Sequence, residues 1–172
     1  MRWITLVSVL FLATSALAAG PIKICIAQPG GPEAKNWKLQ APIAKRIEGN
    51  AAEKQLAIVA PLVASDDEKH ARAEAREKSC NFVLLSTLEN NGQQLFTTFN
   101  PSPTARSTVD LQRPTPTVLS LKYKILSADG HKIGASSVPL QLKDNSTPAD
   151  YEEAGRKLVD TLADQVITAL PK

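Results

Sequence analysis

Three short apolar runs separated by two helical stretches constrain this chain more than any other feature. Ile22-Lys23-Ile24-Cys25-Ile26-Ala27 is rich in β-branched residues and is stopped by Gln28-Pro29-Gly30-Gly31-Pro32, so it reads as a buried strand entering a loop. Gln55 to Val63 is apolar enough for a strand covered on both faces, as in parallel sheets. Cys80 to Leu88 is a third such run. Between the first two, Trp37, Ile43, Ala44, Ile47 and Ala51 recur at three- and four-residue spacings, the apolar stripe of a helix over about 36–54. Pro42 is tolerated only in a first turn, so the main helix is expected to start near Ala41 and Trp37 to fall in a preceding turn. Between the second and third runs, Ser65 and Glu68 have capping-box spacing and open a helix through Lys78 whose small stripe is Ala71 and Ala75. A β-α-β-α-β order with right-handed crossovers gives parallel pairing, with the first strand between the other two.

The second half has a different character. Leu119, Leu121, Tyr123 and Ile125 alternate with Ser120, Lys122 and Lys124, the two-residue period of a half-exposed strand. Asp129-Gly130 supplies a hairpin turn, and the return strand runs from about Lys132 to Leu142. Thr147 caps a last helix with Pro148 at its first position, and Tyr151, Ala154, Leu158, Leu162, Val166 and Ala169 form its apolar stripe. The expected fold is therefore a single α/β domain. It has a mixed sheet, a β-α-β-α-β first half, an antiparallel hairpin and a C-terminal helix packed on the sheet. Residues 89–117, with Pro101, Pro103, Pro114 and Pro116 among serines and threonines, are expected to form a long surface loop.

Residues 1–18 read as a secretory signal peptide. Arg2 precedes the apolar run from Ile4 to Leu12, which is too short to span a bilayer, and Ala16 and Ala18 supply the small residues for cleavage after Ala18 or Ala19. Cys25 lacks the small residue that precedes a lipidated cysteine, so an exported, soluble, periplasmic or secreted product without a membrane anchor is expected. Removing the leader leaves roughly 150 residues, enough for one domain with a proper core. The net charge of +3 includes Arg2, and acidic and basic residues interleave, as from Asp66 to Lys78. That balance lacks the basic face of a nucleic-acid binder.

The succession of Ile22 to Ala27, the alanine-rich Ala71-Arg72-Ala73-Glu74-Ala75 leading into Cys80 to Leu88, and Leu121 to Ile133 around Asp129-Gly130 resembles a bacterial envelope superfamily. That superfamily includes CsgG, LpoB and the amino-terminal domain of TolB. Its third strand follows a pattern with a preceding glycine, where this chain has Ser79-Cys80. The resemblance implies a non-enzymatic α/β domain that assembles with envelope partners. It brings no catalytic residues.

The sharpest chemical feature is the pair Cys25 and Cys80. Strand order 2-1-3 makes their strands parallel neighbours with both sulfurs near one end, so a structural disulfide is expected in an oxidising compartment. Buried free thiols are the alternative, and the absence of a Cys-x-x-Cys pair speaks against redox activity. His70 and His131, the only candidate bases for a Ser-His-Asp hydrolase, fall in a charged helix and a hairpin turn and have no metal-ligand partner at a recognised spacing. The loop from Gln28 to Pro32 lacks phosphate-loop spacing, so no cofactor is expected. Asn145-Ser146-Thr147 matches a glycosylation acceptor, but Thr147 reads better as a helix cap. Trp37, Phe96 and Phe99 are the candidate partner-binding aromatics, with core packing as the plainer role. The expected function is non-catalytic protein binding or assembly in the envelope. A periplasmic small-ligand binder using a cleft at 28–33 is the alternative, and an extracytoplasmic hydrolase a more distant one. Partner and oligomeric state are open.

Overall fold

A computed structural model describes residues 20–32, 34–90, 117–142 and 147–171. The expected signal peptide, Phe96, Phe99, the interior of the 89–117 loop and Asn145-Ser146 lie outside the described residues.

The chain forms one mixed α/β domain. Strand β1 (Ile22–Ile26) leads through a short helix α1 (Ala34–Trp37) to α2 (Gln40–Glu53) and β2 (Ile58–Val59). Helix α3 (Glu68–Glu77), β3 (Phe82–Asn90), β4 (Thr117–Ser127), β5 (Lys132–Leu142) and α4 (Pro148–Ala169) follow. The sheet order is β2-β1-β3-β4-β5, with β1 parallel to both neighbours and the β3-β4-β5 half antiparallel. The expected placement of the first strand between the second and third holds.

Alternation along the strands divides the core into two layers. Ile24 and Ile26 of β1, Leu84 and Leu88 of β3 and Leu121 and Ile125 of β4 face α2 and α4, where they meet Ile43, Ile47, Leu158 and Leu162. Cys25 of β1 and Ala27 just after it, Val83 and Leu85 of β3 and Leu126 of β4 face the other way, onto Ala71 and Ala75 of α3. The small alanines let α3 lie close to the sheet. Cys25 and Cys80 are joined in this second layer by a disulfide, with Cα atoms 5.8 Å apart. The bond ties β1 to the turn that follows α3.

Several details differ from the sequence expectation. The run Gln55 to Val63 is not a strand covered on both faces: β2 has only two residues and lies at the sheet edge, leaving Leu56 and Val59 each 43% exposed. The cap of α3 is Asp67 rather than Ser65. The Ser65 hydroxyl accepts the Asp67 N–H, and Asp67 Oδ1 accepts the His70 N–H at 3.0 Å, so a short turn delivers the real cap two residues later. Trp37 ends a helical turn of its own, and Pro42 sits in the first turn of α2, where its missing donor is harmless. Strand β3 runs two residues past Leu88 and β4 begins at Thr117, so the ends of the expected loop belong to the ladder, with Asn90 paired to Leu119. In α4 the capping box is Thr147 with Asp150. Its buried stripe takes in Val159, Ala163 and Ile167, while Tyr151 faces outward at 44% exposure.

Two tests follow from this architecture. Closing a loop between residues 55 apart should stabilise the fold by about 4 kcal/mol in the chain-entropy model. The Cys25→Ala/Cys80→Ala double variant is expected to lose that amount in denaturant unfolding, and a loss below about 1 kcal/mol would contradict it. Hydrogen bonding from the His70 backbone N–H, then from its side chain, holds the Asp67 carboxyl below its ordinary value of 3.8. A depressed carboxylate stabilises the fold at pH above the unfolded value and loses that contribution as pH falls through the folded one. The Tm gap between wild type and Asp67→Ala is therefore expected to be present at neutral pH and to close below pH 3.8. A gap that persists or widens in acid would contradict the assignment.

Candidate functional site

Helices α2 and α4 lie side by side over the same sheet face, and charged contacts one turn apart clasp them. Arg46 Nε meets Asp160 Oδ1 at 2.7 Å, and Asn50 Nδ2 and Lys54 Nζ reach Asp164 Oδ1 at 3.1 and 3.2 Å. The ion pairs are half-exposed and worth little in stability, but they fix the register of the two helices.

That register brings Trp37 onto the first turns of α4. Lys38, in a left-handed conformation at φ 45°, ends α1 and turns the chain through buried Leu39 into α2. The indole then lies over Gly155, where an added Cβ would stand 3.1 Å from Cζ3 of Trp37. Glycine in a helix interior costs roughly 1 kcal/mol relative to alanine; here its bare backbone provides the seat for the ring. Tyr151, one turn earlier on α4, meets the indole with ring centroids 6.1 Å apart and planes inclined at 54°.

The two aromatics form one end of an open groove of about 1040 Å³ between the helices. Leu39, Pro42 and Val159 contribute apolar wall, and Lys45, Glu152 and Arg156 stand with the Arg46–Asp160 pair as its charged lining. Among the described residues the lining contains no serine, threonine, cysteine or histidine. What the lining offers is apolar contact area flanked by charge. A second, shallower groove of about 550 Å³ involves Leu85, Lys122, Tyr123 and Ser136. Burial pushes the Tyr123 hydroxyl above its ordinary value, and the group donates to Gln165 Oε1 at 3.1 Å.

The other sequence candidates are scattered. His70 is exposed at the start of α3, and His131 is exposed at the hairpin. Among the described residues no group of three or more His, Cys, Asp and Glu is placed to hold a metal ion. The loop after β1 is stitched to β3: Gly30 N–H donates to Ser86 O and Leu88 N–H to Gly30 O, each at 2.9 Å. Gly31 sits at φ 99°, where a Cβ would lie 2.2 Å from Leu88 O. Neither groove is lined by residues 28–32. Sequence reasoning singled out Trp37 but missed Tyr151 as its partner and Gly155 as its seat. A lone glycine in a strongly periodic helix was the available signal, since such a residue usually has a packing reason.

Fold and site together define a small mixed α/β domain with an aromatic-ended interhelical groove. Its similarity to solved structures lies in shape. Two dodecameric PelC structures from Paraburkholderia phytofirmans, one of them a point variant, each superpose with a TM-score of 0.52 at 12% identity. They cover 83% of this chain and 85% or 84% of the PelC chain. A neuraminyllactose-binding hemagglutinin homolog from Helicobacter pylori aligns over 89% of both chains at 8% identity, with a TM-score of 0.39 that carries no further argument. No family model matches the chain, and no curated protein matches it.

If Gly155 is the seat of the indole, Gly155→Val is expected to lift Trp37 into solvent and shift its emission to the red, with far-UV circular dichroism retained. Unchanged emission would contradict the packing.

Proposed function

We propose that this chain is an exported, non-catalytic envelope protein that binds or assembles with other protein chains, and that the α2–α4 groove is its contact surface. The observation that carries the proposal is a half-buried tryptophan seated on a helix glycine and flanked by an exposed tyrosine at the end of a wide groove. Aromatic residues are enriched among interface hot spots because they bury much area at low entropic cost. A groove of this form suits an amphipathic helix or a folded edge of a partner. The Cys25–Cys80 bond supports an oxidising compartment, and among the described residues no helix is long and apolar enough to cross a membrane. The PelC structures, dodecamers of a domain of similar fold, support assembly as the kind of task such a domain performs. The resemblance to the CsgG, LpoB and TolB superfamily points the same way. A small-ligand cleft at 28–33 finds less support, because the loop there is bonded into the sheet.

Crosslinking in intact cells followed by pulldown tests the proposal. Trp37→Ala is expected to reduce the captured protein at least tenfold, the loss of a hot spot worth about 2 kcal/mol, while thermal unfolding shows the domain still folded. Capture unchanged by that substitution would remove the groove from the proposal.

A further inference from the structure

The two edges of the sheet are finished differently. At β2, the bonds from Ile22 N–H to Ala57 O, from Ile26 N–H to Pro61 O and from Val63 N–H to Ile26 O turn residues 57, 61 and 63 toward β1. Residues 58, 60, 62 and 64 then point outward, and three of them are sealed by side chains. Glu48 Oε1 accepts the Ala60 N–H at 2.7 Å, Glu74 Oε2 accepts the Ala64 N–H at 2.9 Å, and Lys78 Nζ donates to Leu62 O. Side chains from α2 and α3 thus block strand addition at this edge.

Among the described residues no such seal covers β5. The bonds of Gly30 with Ser86 and Leu88 turn those β3 residues toward β1, so Leu85, Thr87 and Glu89 face β4. Their partners Lys124, Lys122 and Ser120 face β3, while Tyr123, Leu121 and Leu119 pair outward with Ser136, Val138 and Leu140. The backbone of Ala135, Ser137 and Pro139 therefore points away from the sheet. Pro139, which has no N–H to offer, sits where the ladder needs none. Among the described residues nothing bonds the N–H groups of Ala135 and Ser137, and both residues are exposed.

We infer that the β5 edge pairs antiparallel with the β5 edge of a second copy, about a two-fold axis at Ser136. This rests on the assembly half of the proposed function and not on the groove. In that register Ala135 and Ser137 of each copy exchange N–H and C=O bonds with Ser137 and Ala135 of the other, so every donor between Gly134 and Val138 that points outward is satisfied. The strand carries a single charge, Lys132, and the two-fold sets it opposite Leu140 of the second copy rather than against its like. An edge free of charge repulsion and complementary to itself fits an isologous partner. Such a two-fold contact is compatible with a dimer or with a larger even-numbered assembly.

Sedimentation velocity of the full-length protein over a concentration series, with Ser137→Pro alongside, tests this. Pro139 shows that an outward position of β5 accepts proline, so Ser137→Pro should keep the hairpin and remove one donor per copy from the proposed pairing. Wild type is expected to form even-numbered species, and the variant to fall to half their mass or to monomer. Hydrogen exchange on wild type supplies a check that needs no variant: the Ala135 and Ser137 amides are expected to be protected at high concentration and to exchange freely on dilution. Wild type that is monomeric throughout would overturn both the pairing and self-assembly. A folded variant of unchanged oligomeric mass, or the two amides exchanging freely in the oligomer, would overturn the β5 edge while leaving assembly through another surface intact.

Discussion

Along β1 and the residue that follows it, Ile24 and Ile26 alternate with Cys25 and Ala27, and all four are fully buried. A strand apolar on both faces cannot rest at the surface, so the chain must supply a layer on each side and a hydrogen-bonded neighbour at each edge. The first crossover lays α2 on one face and the second lays α3 on the other. Strand β3 then closes against β1 with the disulfide across the second layer. The antiparallel half extends the sheet from this centre, and α4 covers that extension beside α2. The groove lies between the two helices that share one face, with an indole seated on the first turns of α4.

The two layers are unequal. Helix α3 has only 10 residues and presents alanines, so it covers the region around β1 and β3 closely. On the other face, a helix of 14 residues and one of 22 lie together, and their packing leaves room that side chains do not fill. Binding area, ion-pair clasps and the seated aromatic all fall on this side. A similar economy governs the edges: β2 is short and sealed by carboxylates and a lysine, while β5, more than twice as long as β1, carries no such seal among the described residues.

The fold class, strand order, hairpin and start of α4 were legible because each had a local signal: apolar runs of strand length, Asp129-Gly130, and Thr147-Pro148. The ends of α2 and α3, expected at Lys54 and Lys78, fall one residue earlier with those residues as C-caps, whereas the separate α1 and the Asp67 cap of α3 were not foreseen. Helices α1, α2 and α3 are followed by Lys38, Gln55 and Ser79 in left-handed conformations, at φ of 45°, 58° and 55°. Gly is the usual residue at such positions, whereas these residues carry a small strain, so it was the end of the apolar periodicity and not a cap residue that marked where α2 and α3 stop. The extent of β2 was overestimated because Leu56, Val59 and Leu62 are apolar without being buried. Of the site, only Trp37 was visible. Its meeting with Tyr151 and Gly155 depends on the α2–α4 register, which is set by contacts between residues more than 100 apart in sequence.

The central claim is that the molecule works by contact through the face shared by α2 and α4. A photo-crosslinking residue placed at Lys45, beside the groove, and separately at exposed Glu77 on α3 tests it most directly in living cells. The account expects a discrete protein adduct from position 45 and none from position 77. Equal adducts from both positions, or an adduct from 77 alone, would contradict it.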